Sequence, residues 1–402
     1  MGSIWGGMIY FLFFCGSLVL GIGHYSKETK IGPIIIDHYS FLYNLTNYSS
    51  NRKINQQRLK IKLNNIDYGP VVVENSIRIR FRFKSNSHTF HTYGPNTSLI
   101  IPNLIHNIEN SYSINEVVFL LSHNVYTSEH CGIYTNSTCY THRKSCHLKY
   151  TENGLVELEY NSVISICHFF LFFYGHIFFD VLAPMMLIPE RIRHNSHAII
   201  TIRKPIYIEA FVAIGFSEDR LIFIKPNEMV KCRYLYTLKN PACIDFFGEA
   251  LHQLRLKLFN YYNLSSIKPS LYCLYNREGS RRIINFQDLQ NSVSHAFPQF
   301  NWTVIPKQSS LRDTAQLFAQ VKFIFQITGS GMSNCLFMHP KTTVVEVLCS
   351  HPNDCFAILT QVCQINHVIM KMINVPHFGP PFTIVIPVVL RGINKGLKLL
   401  NK

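Results

Sequence analysis

The sequence contains no Asp-x-Asp pair among its eight aspartates, no Walker-type phosphate loop, no His-Glu-x-x-His, no Gly-x-Ser-x-Gly and no protein-kinase signature. The first absence removes the usual carboxylate bridge between a divalent metal and a diphosphate. The others remove P-loop hydrolysis, zinc peptidase chemistry, the α/β-hydrolase nucleophile and protein phosphorylation. Charge is scarce: Asp, Glu, Lys and Arg make up 15% of the chain against 47% apolar residues, the reverse of a disordered composition, so most of the chain packs. There are no heptads and no internal repeat, which excludes a long coiled coil and a solenoid.

The 402 residues suffice for two or three domains of about 100–200 residues each, each with its own core. Lys and Arg total 38 against 23 acids, for a net charge of +15. That balance either favours anionic partners such as nucleotides, glycans or a membrane surface, or reflects the bias of a chain rich in Asn, Ile, Lys and Tyr. Nucleic acid is not among the expected partners.

No charged side chain occurs from Ile4 to Gly23, a run that reads as a signal peptide or a signal anchor over residues 1–23 and places the rest in the secretory pathway, in the ER or Golgi lumen or secreted. Gly21 and Gly23 favour cleavage before His24; the length of the run favours an uncleaved, type II anchor that holds the protein to the membrane. Lys27 and Lys30 follow the run and no base precedes it, which runs against the positive-inside rule. Six Asn-x-Ser/Thr sites begin at Asn44, Asn47, Asn96, Asn136, Asn263 and Asn301 and are the expected glycosylation sites. Of twelve cysteines, one (Cys15) lies in the apolar run; the remainder suit an oxidising lumen with disulfides. Cys131, Cys139 and Cys146, interleaved with His130, His142 and His147, match no paired-cysteine zinc spacing and read as disulfide cysteines.

Residues 24–60 read as a stem or irregular leader, and Ile77–Phe83 alternates apolar with basic residues as a half-exposed strand does. A second apolar concentration, Ser162–Val181, includes His168, His176 and Asp180, which are costly in lipid. It reads as a buried strand, a turn at Tyr174-Gly175 and a helix placing His176 and Asp180 one turn apart. From Gly215 strands alternate with helices: strands at Leu221–Lys225, Val230–Leu235, Ser270–Tyr275, Trp302–Ile305, Lys322–Ile327 and Thr343–Leu348, and helices at Phe246–Tyr262, from Asn285, at Leu311–Val321 and at Met332–Met338. This pattern predicts an α/β fold with a parallel sheet covered on both faces.

Three segments carry candidate chemistry. The apolar strand ending at Ile327 runs into Thr328-Gly329-Ser330-Gly331 and then a helix, so backbone N–H groups and the positive helix end face the sheet's carboxyl edge and suit a diphosphate. Arg277-Glu278-Gly279-Ser280-Arg281-Arg282 follows a buried strand, where arginines point to the ligand crevice of an open α/β sheet. Glu346, embedded in an apolar strand, requires either a ligand hydroxyl at the strand's end or a cationic partner.

In this order, the segments resemble glycosyltransferase family 61, which includes EGF-domain O-GlcNAc transferases, protein O-mannose GlcNAc transferases and plant xylan glycosyltransferases. Tyr174-Gly175-His176-Ile177-Phe178-Phe179-Asp180 keeps the His and Asp of that family's Asn-x-x-His-x-x-x-Asp but not its Asn. Arg277 with Arg281-Arg282-Ile283-Ile284-Asn285 is similar to its arginine block. Thr328-Gly329-Ser330-Gly331-Met332-Ser333-Asn334, then Phe337-Met338 and Val345-Glu346-Val347, resembles its late His-Gly-Ala-Gly-Leu-Thr-Asn motif.

The resemblance implies a GT-B-like fold of two Rossmann-type lobes around a cleft, with an acceptor-side lobe over residues 61–212 and a nucleotide-sugar-binding lobe over 213–402. It implies an inverting transfer, without a metal or other cofactor, from a nucleotide sugar, expected to be UDP-linked, to a hydroxyl of a protein or glycan. Arg277, Arg281, Thr328, Gly329, Ser330, Gly331 and Asn334 are then expected at the donor, Glu346 at its ribose, and Asp180 or His176 as general base. Thr328 stands where the family has His and cannot carry charge, so a catalytically inactive lumenal protein that binds nucleotide sugar or glycan is the rival reading.

Overall fold

Apolar strands flanked by amphipathic helices build two units in the computed structural model, which describes residues 18–20, 51–60, 66–67, 77–81, 98–99, 117–134, 139–140, 153–167, 170–186, 188, 190–238, 249–348, 355–371 and 379–400. The described residues divide into a unit drawn from 1–87, 114–172 and 179–250 and a second drawn from 88–113, 173–178 and 251–402. The protein is α/β, with one mixed and one parallel sheet. Most of the N-terminal apolar run, the leader before Asn51, and the sequons at Asn44, Asn47, Asn96 and Asn136 lie outside the described residues. Asn263 and Asn301 are both exposed.

The first unit is built on a mixed sheet around Asn153–Ile164. That strand runs parallel to Glu228–Leu238 and, at its far end, to His197–Ile199, and its first half pairs antiparallel with Asn51–Lys60. Glu228–Leu238 in turn pairs antiparallel with Val117–Ser128, which takes Ile77–Phe81 on its other side. A disulfide joins Cys131 to Cys167, while Cys232 is a buried free thiol. The strand expected from Ser162 ends at Ile164. Among the described residues no helix is long and apolar enough to cross a membrane.

The helix expected to carry His176 and Asp180 is not a uniform α-helix. An α-turn at Tyr174–His176 passes into a π-helical stretch at Ile177–Leu182 and back into α at Ala183–Met186. His176 therefore ends one winding and Asp180 lies in another, and the unit division falls between Phe178 and Phe179. A π segment in a helix is costly and concentrates at functional sites.

The second unit has an all-parallel sheet in the order Trp302–Val304, Leu271–Leu274, Val321–Ile327, Thr343–Leu348, Asn366–Lys371, Ser98–Leu99. Its central strands are buried on both faces, as their near-continuous Val, Ile and Phe content requires. Phe323, Phe325, Ile327, Val345 and Val347 pack on one face with the helices Phe286–Ala296 and Ile386–Leu400. The helix Leu311–Gln320 starts where Ser310 Oγ accepts from Asp313 N at 3.0 Å and donates to its carboxylate at 2.7 Å, a reciprocal cap. From Leu271–Leu274 the chain moves to the neighbour on one side, Trp302–Val304, and then crosses to the neighbour on the other, Val321–Ile327. That reversal is a topological switch point, and in open α/β sheets ligands bind outside the carboxyl ends of the two strands flanking such a point. The helix expected at Met332–Met338 is instead a 3-10 helix at Ser330–Phe337, because Met332 N donates to Gly329 O at 2.8 Å and the tight winding starts at the turn itself.

The C-terminal helix lies close to the sheet because Gly392 and Gly396 form one stripe of its buried face. A Cβ on Gly396 would meet Val345 Cγ2 at 2.8 Å and Phe323 Cε2 at 2.9 Å. Gly396→Val should lower the unfolding free energy by about 1–3 kcal/mol, since overpacking outweighs any helix-propensity gain; denaturant titration reads this directly.

His197 and His339 sit in interiors whose burial pushes both imidazoles below the ordinary histidine range. A histidine harder to protonate folded than unfolded leaves stability full above its unfolded value of about 6.5 and diminishes it as pH falls through that value. Stability measured from pH 7.5 downward should therefore decline, and the decline should be shallower in His197→Phe.

Candidate functional site

The polar side chains and backbone groups above the switch point come from two connections. The first follows Leu271–Leu274. Asn276 clamps it: Oδ1 accepts from the backbone N–H of Arg277 and of Ile283, both at 2.9 Å, and Nδ2 donates to Ile283 O at 3.0 Å. One amide thus draws together both ends of the arginine loop. Within the loop Gly279 (φ 72°) and Arg281 (φ 59°) are left-handed. For Arg281 this conformation costs on the order of 1 kcal/mol. It is held there by Arg281 N donating to Gly379 O at 3.0 Å, and the strand-like segment beyond is secured by Ile284 N to Phe382 O at 2.8 Å and Phe382 N to Arg282 O at 2.9 Å. Asn285 stands at the N-cap of the next helix, yet its amide bonds both N and O of Ile384 at 3.0 Å instead of capping.

The second connection follows Val321–Ile327. Thr328 N extends the ladder to Val347 O at 2.9 Å. The chain then turns at Gly329, whose φ of 146° and ψ of −175° form a backbone region open essentially to glycine alone. A side chain there would also overlap the Arg277 guanidinium and lie 3.2 Å from Arg281 Nη2. Beyond the turn, the first N–H groups of the helix, those of Ser330 and Gly331, have no acceptor within it.

The two expected arginines therefore converge on one glycine. Arg277 is half-buried, its Nη1 donating to Thr328 O at 3.1 Å and its Nε to Ser280 O at 3.2 Å. Arg281 is only 5% exposed, and its Nε and Nη1 have no hydrogen-bond partner among the described residues. Of the two adjacent arginines Arg281 is the buried one and Arg282 the exposed one. A buried cation with unused donors, held in a strained conformation beside a second cation, is costly unless an anion sits against it.

The His176 segment meets the same helix. Tyr174 Oη donates to Asn334 Oδ1 at 2.8 Å, and the Phe178 ring lies edge-on to Phe337 with centroids 6.1 Å apart. His176, between them, is half-buried, whereas Asp180 is completely buried. Arg255 fastens the helix's other end by donating to the carbonyls of Leu336 and Met338, with Phe259 beneath its guanidinium at 4.1 Å.

Glu346 takes the second of the two arrangements expected for it. It lies level with Gln326, two residues short of Thr328, and its Oε2 is 3.0 Å from His367 Nε2 inside the fold. His367 Nδ1 is 3.0 Å from Thr360 Oγ1, whose hydroxyl donates to Ala357 O. Glu346 Oε1 is buried without a partner among the described residues, and the residue is 1% exposed.

The structure thus brings Arg277, Arg281, Thr328, Gly329, Ser330, Gly331 and Asn334 to one edge of the second unit, with His176 on a segment packed against the same helix. Sequence reading missed Asn276, Tyr174 and Arg255. Asn276 had a usable signal, an Asn directly after a buried strand where an Asx-type clamp closes a loop. Arg255 had none.

Because Arg281 leaves donors unpaired when the site is empty, Arg281→Met should keep the unliganded fold at equal stability or raise it by about 1 kcal/mol. Thermal and urea unfolding without ligand would show it.

Compared with known proteins, residues 174–345, which span the His176 segment, the arginine loop and the glycine turn, match the family model described as Glycosyltransferase 61. No curated protein matches the chain.

Proposed function

Since the chain belongs to glycosyltransferase family 61 and is a glycosyltransferase, we propose that it transfers a sugar from a nucleotide sugar to a hydroxyl of a protein or glycan, with inversion, and that the crevice above Gly329 holds the donor diphosphate. One observation carries this reading: the buried Arg281 guanidinium, with two donors unused, beside Arg277 on the same glycine. In the transfer the acceptor oxygen bonds to the anomeric carbon while the bond from that carbon to the diphosphate breaks, and negative charge grows on the leaving group. Two guanidiniums and the N–H groups of Ser330 and Gly331 stabilise that charge more strongly in the transition state than in the ground state, which is what lowers the barrier.

The arginines supply the positive charge that a bridging metal supplies elsewhere, and with no Asp-x-Asp to bind one, we read the reaction as metal-independent. A general base must reach the acceptor proton. His176, half-buried and in the same unit as the arginine loop, meets that need better than the fully buried Asp180. Asn334, oriented by Tyr174, joins the donor site; Glu346, committed to His367, is better suited to stiffening the strand beneath it. In the wider reading, the donor lobe is the C-terminal half of a GT-B arrangement, the donor is UDP-linked, and the protein works in the ER or Golgi lumen, anchored or secreted. The Cys131–Cys167 disulfide and the exposed sequons Asn263 and Asn301 favour that compartment.

The replacement of the family's His by Thr328 favours a second reading, a scaffold that binds donor without turnover. Hydrolysis or transfer with a panel of UDP- and GDP-sugars, with and without EDTA, separates the two. Turnover preserved in EDTA and reduced about 100-fold or more in Arg281→Met is expected. Nucleotide binding without turnover would support the inactive scaffold, and no nucleotide binding at all would overturn the donor site.

A further inference from the structure

Gly331 and Tyr275 mark a contact that the arginines do not explain. Gly329 is glycine because its backbone conformation and the Arg277 guanidinium both demand it. Neither reason applies to Gly331. Its φ is not positive, and a Cβ placed there would meet Tyr275 Cε1 at 3.4 Å and Tyr275 Oη at 3.7 Å, ordinary van der Waals contact that the protein would tolerate. Glycine in a position where the protein itself has room for a side chain points to clearance for something that approaches the backbone from outside.

Tyr275 borders that clearance. It is the first residue past Leu271–Leu274, and its backbone N–H donates to Phe325 O at 2.9 Å, so it continues the sheet to the edge of the switch-point crevice. Strand alternation puts its side chain on the face opposite Leu274, the face covered by the 3-10 helix. The ring is half-buried, and its hydroxyl makes no hydrogen bond among the described residues although it is not sealed from solvent. A hydroxyl open to solvent and uncommitted to the protein can exchange its water for a ligand oxygen. Burial, the largest effect, and the Glu278 carboxylate raise its pKa, with Arg277 opposing, so the phenol stays an O–H donor at neutral pH.

We propose that the Tyr275 hydroxyl is a further donor-contacting group, giving a hydrogen bond to the diphosphate oxygen that the Gly331 backbone admits. The assignment rests on the donor site proposed above and adds to it an uncharged donor on the same connection as the two arginines. A phenol suits this position because it strengthens its bond as negative charge develops on the leaving group without adding a third cation to a site already crowded with positive charge.

The test is isothermal titration of the full-length protein and two variants with UDP and GDP. Tyr275→Phe keeps the ring and removes the hydroxyl. Gly331→Ala fills the clearance, and the three atoms nearest its new methyl all belong to Tyr275 at contact distance. Expected are a loss of about 10-fold or more in affinity for the bound nucleotide in each variant, a larger fall in kcat than rise in KM for Tyr275→Phe, and melting temperatures unchanged from wild type. Unchanged or tighter binding and kcat in Tyr275→Phe, with wild-type binding intact, would overturn the hydroxyl contact alone and indicate that the ring acts by stacking or packing. Unchanged binding in Gly331→Ala would overturn the clearance argument. Failure of wild type to bind either nucleotide would overturn the donor site and this contact with it.

Discussion

The Arg277 guanidinium occupies the space where any side chain at position 329 would stand. From that exclusion much of the site follows. Gly329 can turn at φ 146° only because it is glycine, and the turn presents the Thr328 carbonyl that holds Arg277 in place. It also starts the 3-10 helix, whose first N–H groups have no acceptor within it. Loop and turn thereby fix each other: neither the arginine nor the glycine has its observed position without the other. Asn276 closes the loop from one side and Arg255 ties down the far end of the helix, so the polar groups sit on a frame of ordinary hydrogen bonds.

The frame is well satisfied, but the site is not. Arg281 is buried with donors unused among the described residues and a left-handed backbone, and Tyr275 brings a hydroxyl without an acceptor among them. Such deficits are what a binding site retains, since an interaction already satisfied within the protein cannot be offered to a ligand. They weigh against the unliganded fold, and the apolar parallel sheet below, packed on both faces, offsets them. Preorganised positive charge spares the reorganisation that water would need wherever negative charge grows on a leaving group.

Glu346 shows how a similar motif can differ in what its residues do. Its place in the chain, an acid in an apolar strand shortly after the glycine turn, is the place expected of a ribose ligand. The fold puts His367 on the next strand and turns the carboxylate inward to it. A buried acid needs a cation or a donor, and the nearer candidate was a residue 21 positions further along the chain, beyond what local sequence reveals. The His176 segment differs in another way: four-residue spacing implies one α-helical face, and the winding changes to π between the two residues.

Apolar periodicity, Gly, Pro and capping residues are local, and they determined the parallel α/β character of the second unit, with Thr343–Leu348 at its observed bounds and the other strands within a few residues of theirs. Local sequence also marked the arginine loop and the glycine turn as the places where chemistry would lie. Pairing between distant residues was left to the tertiary structure: the buried state of Arg281 beside the exposed Arg282, the mixed sheet of the first unit with its bond from Cys131 to Cys167, the partner of Glu346, and the nearness of Tyr275 to Gly331. The reason is that burial and hydrogen-bond partnership are set by which strands become neighbours, and strand order follows from the packing of the whole sheet, which no single stretch of chain encodes.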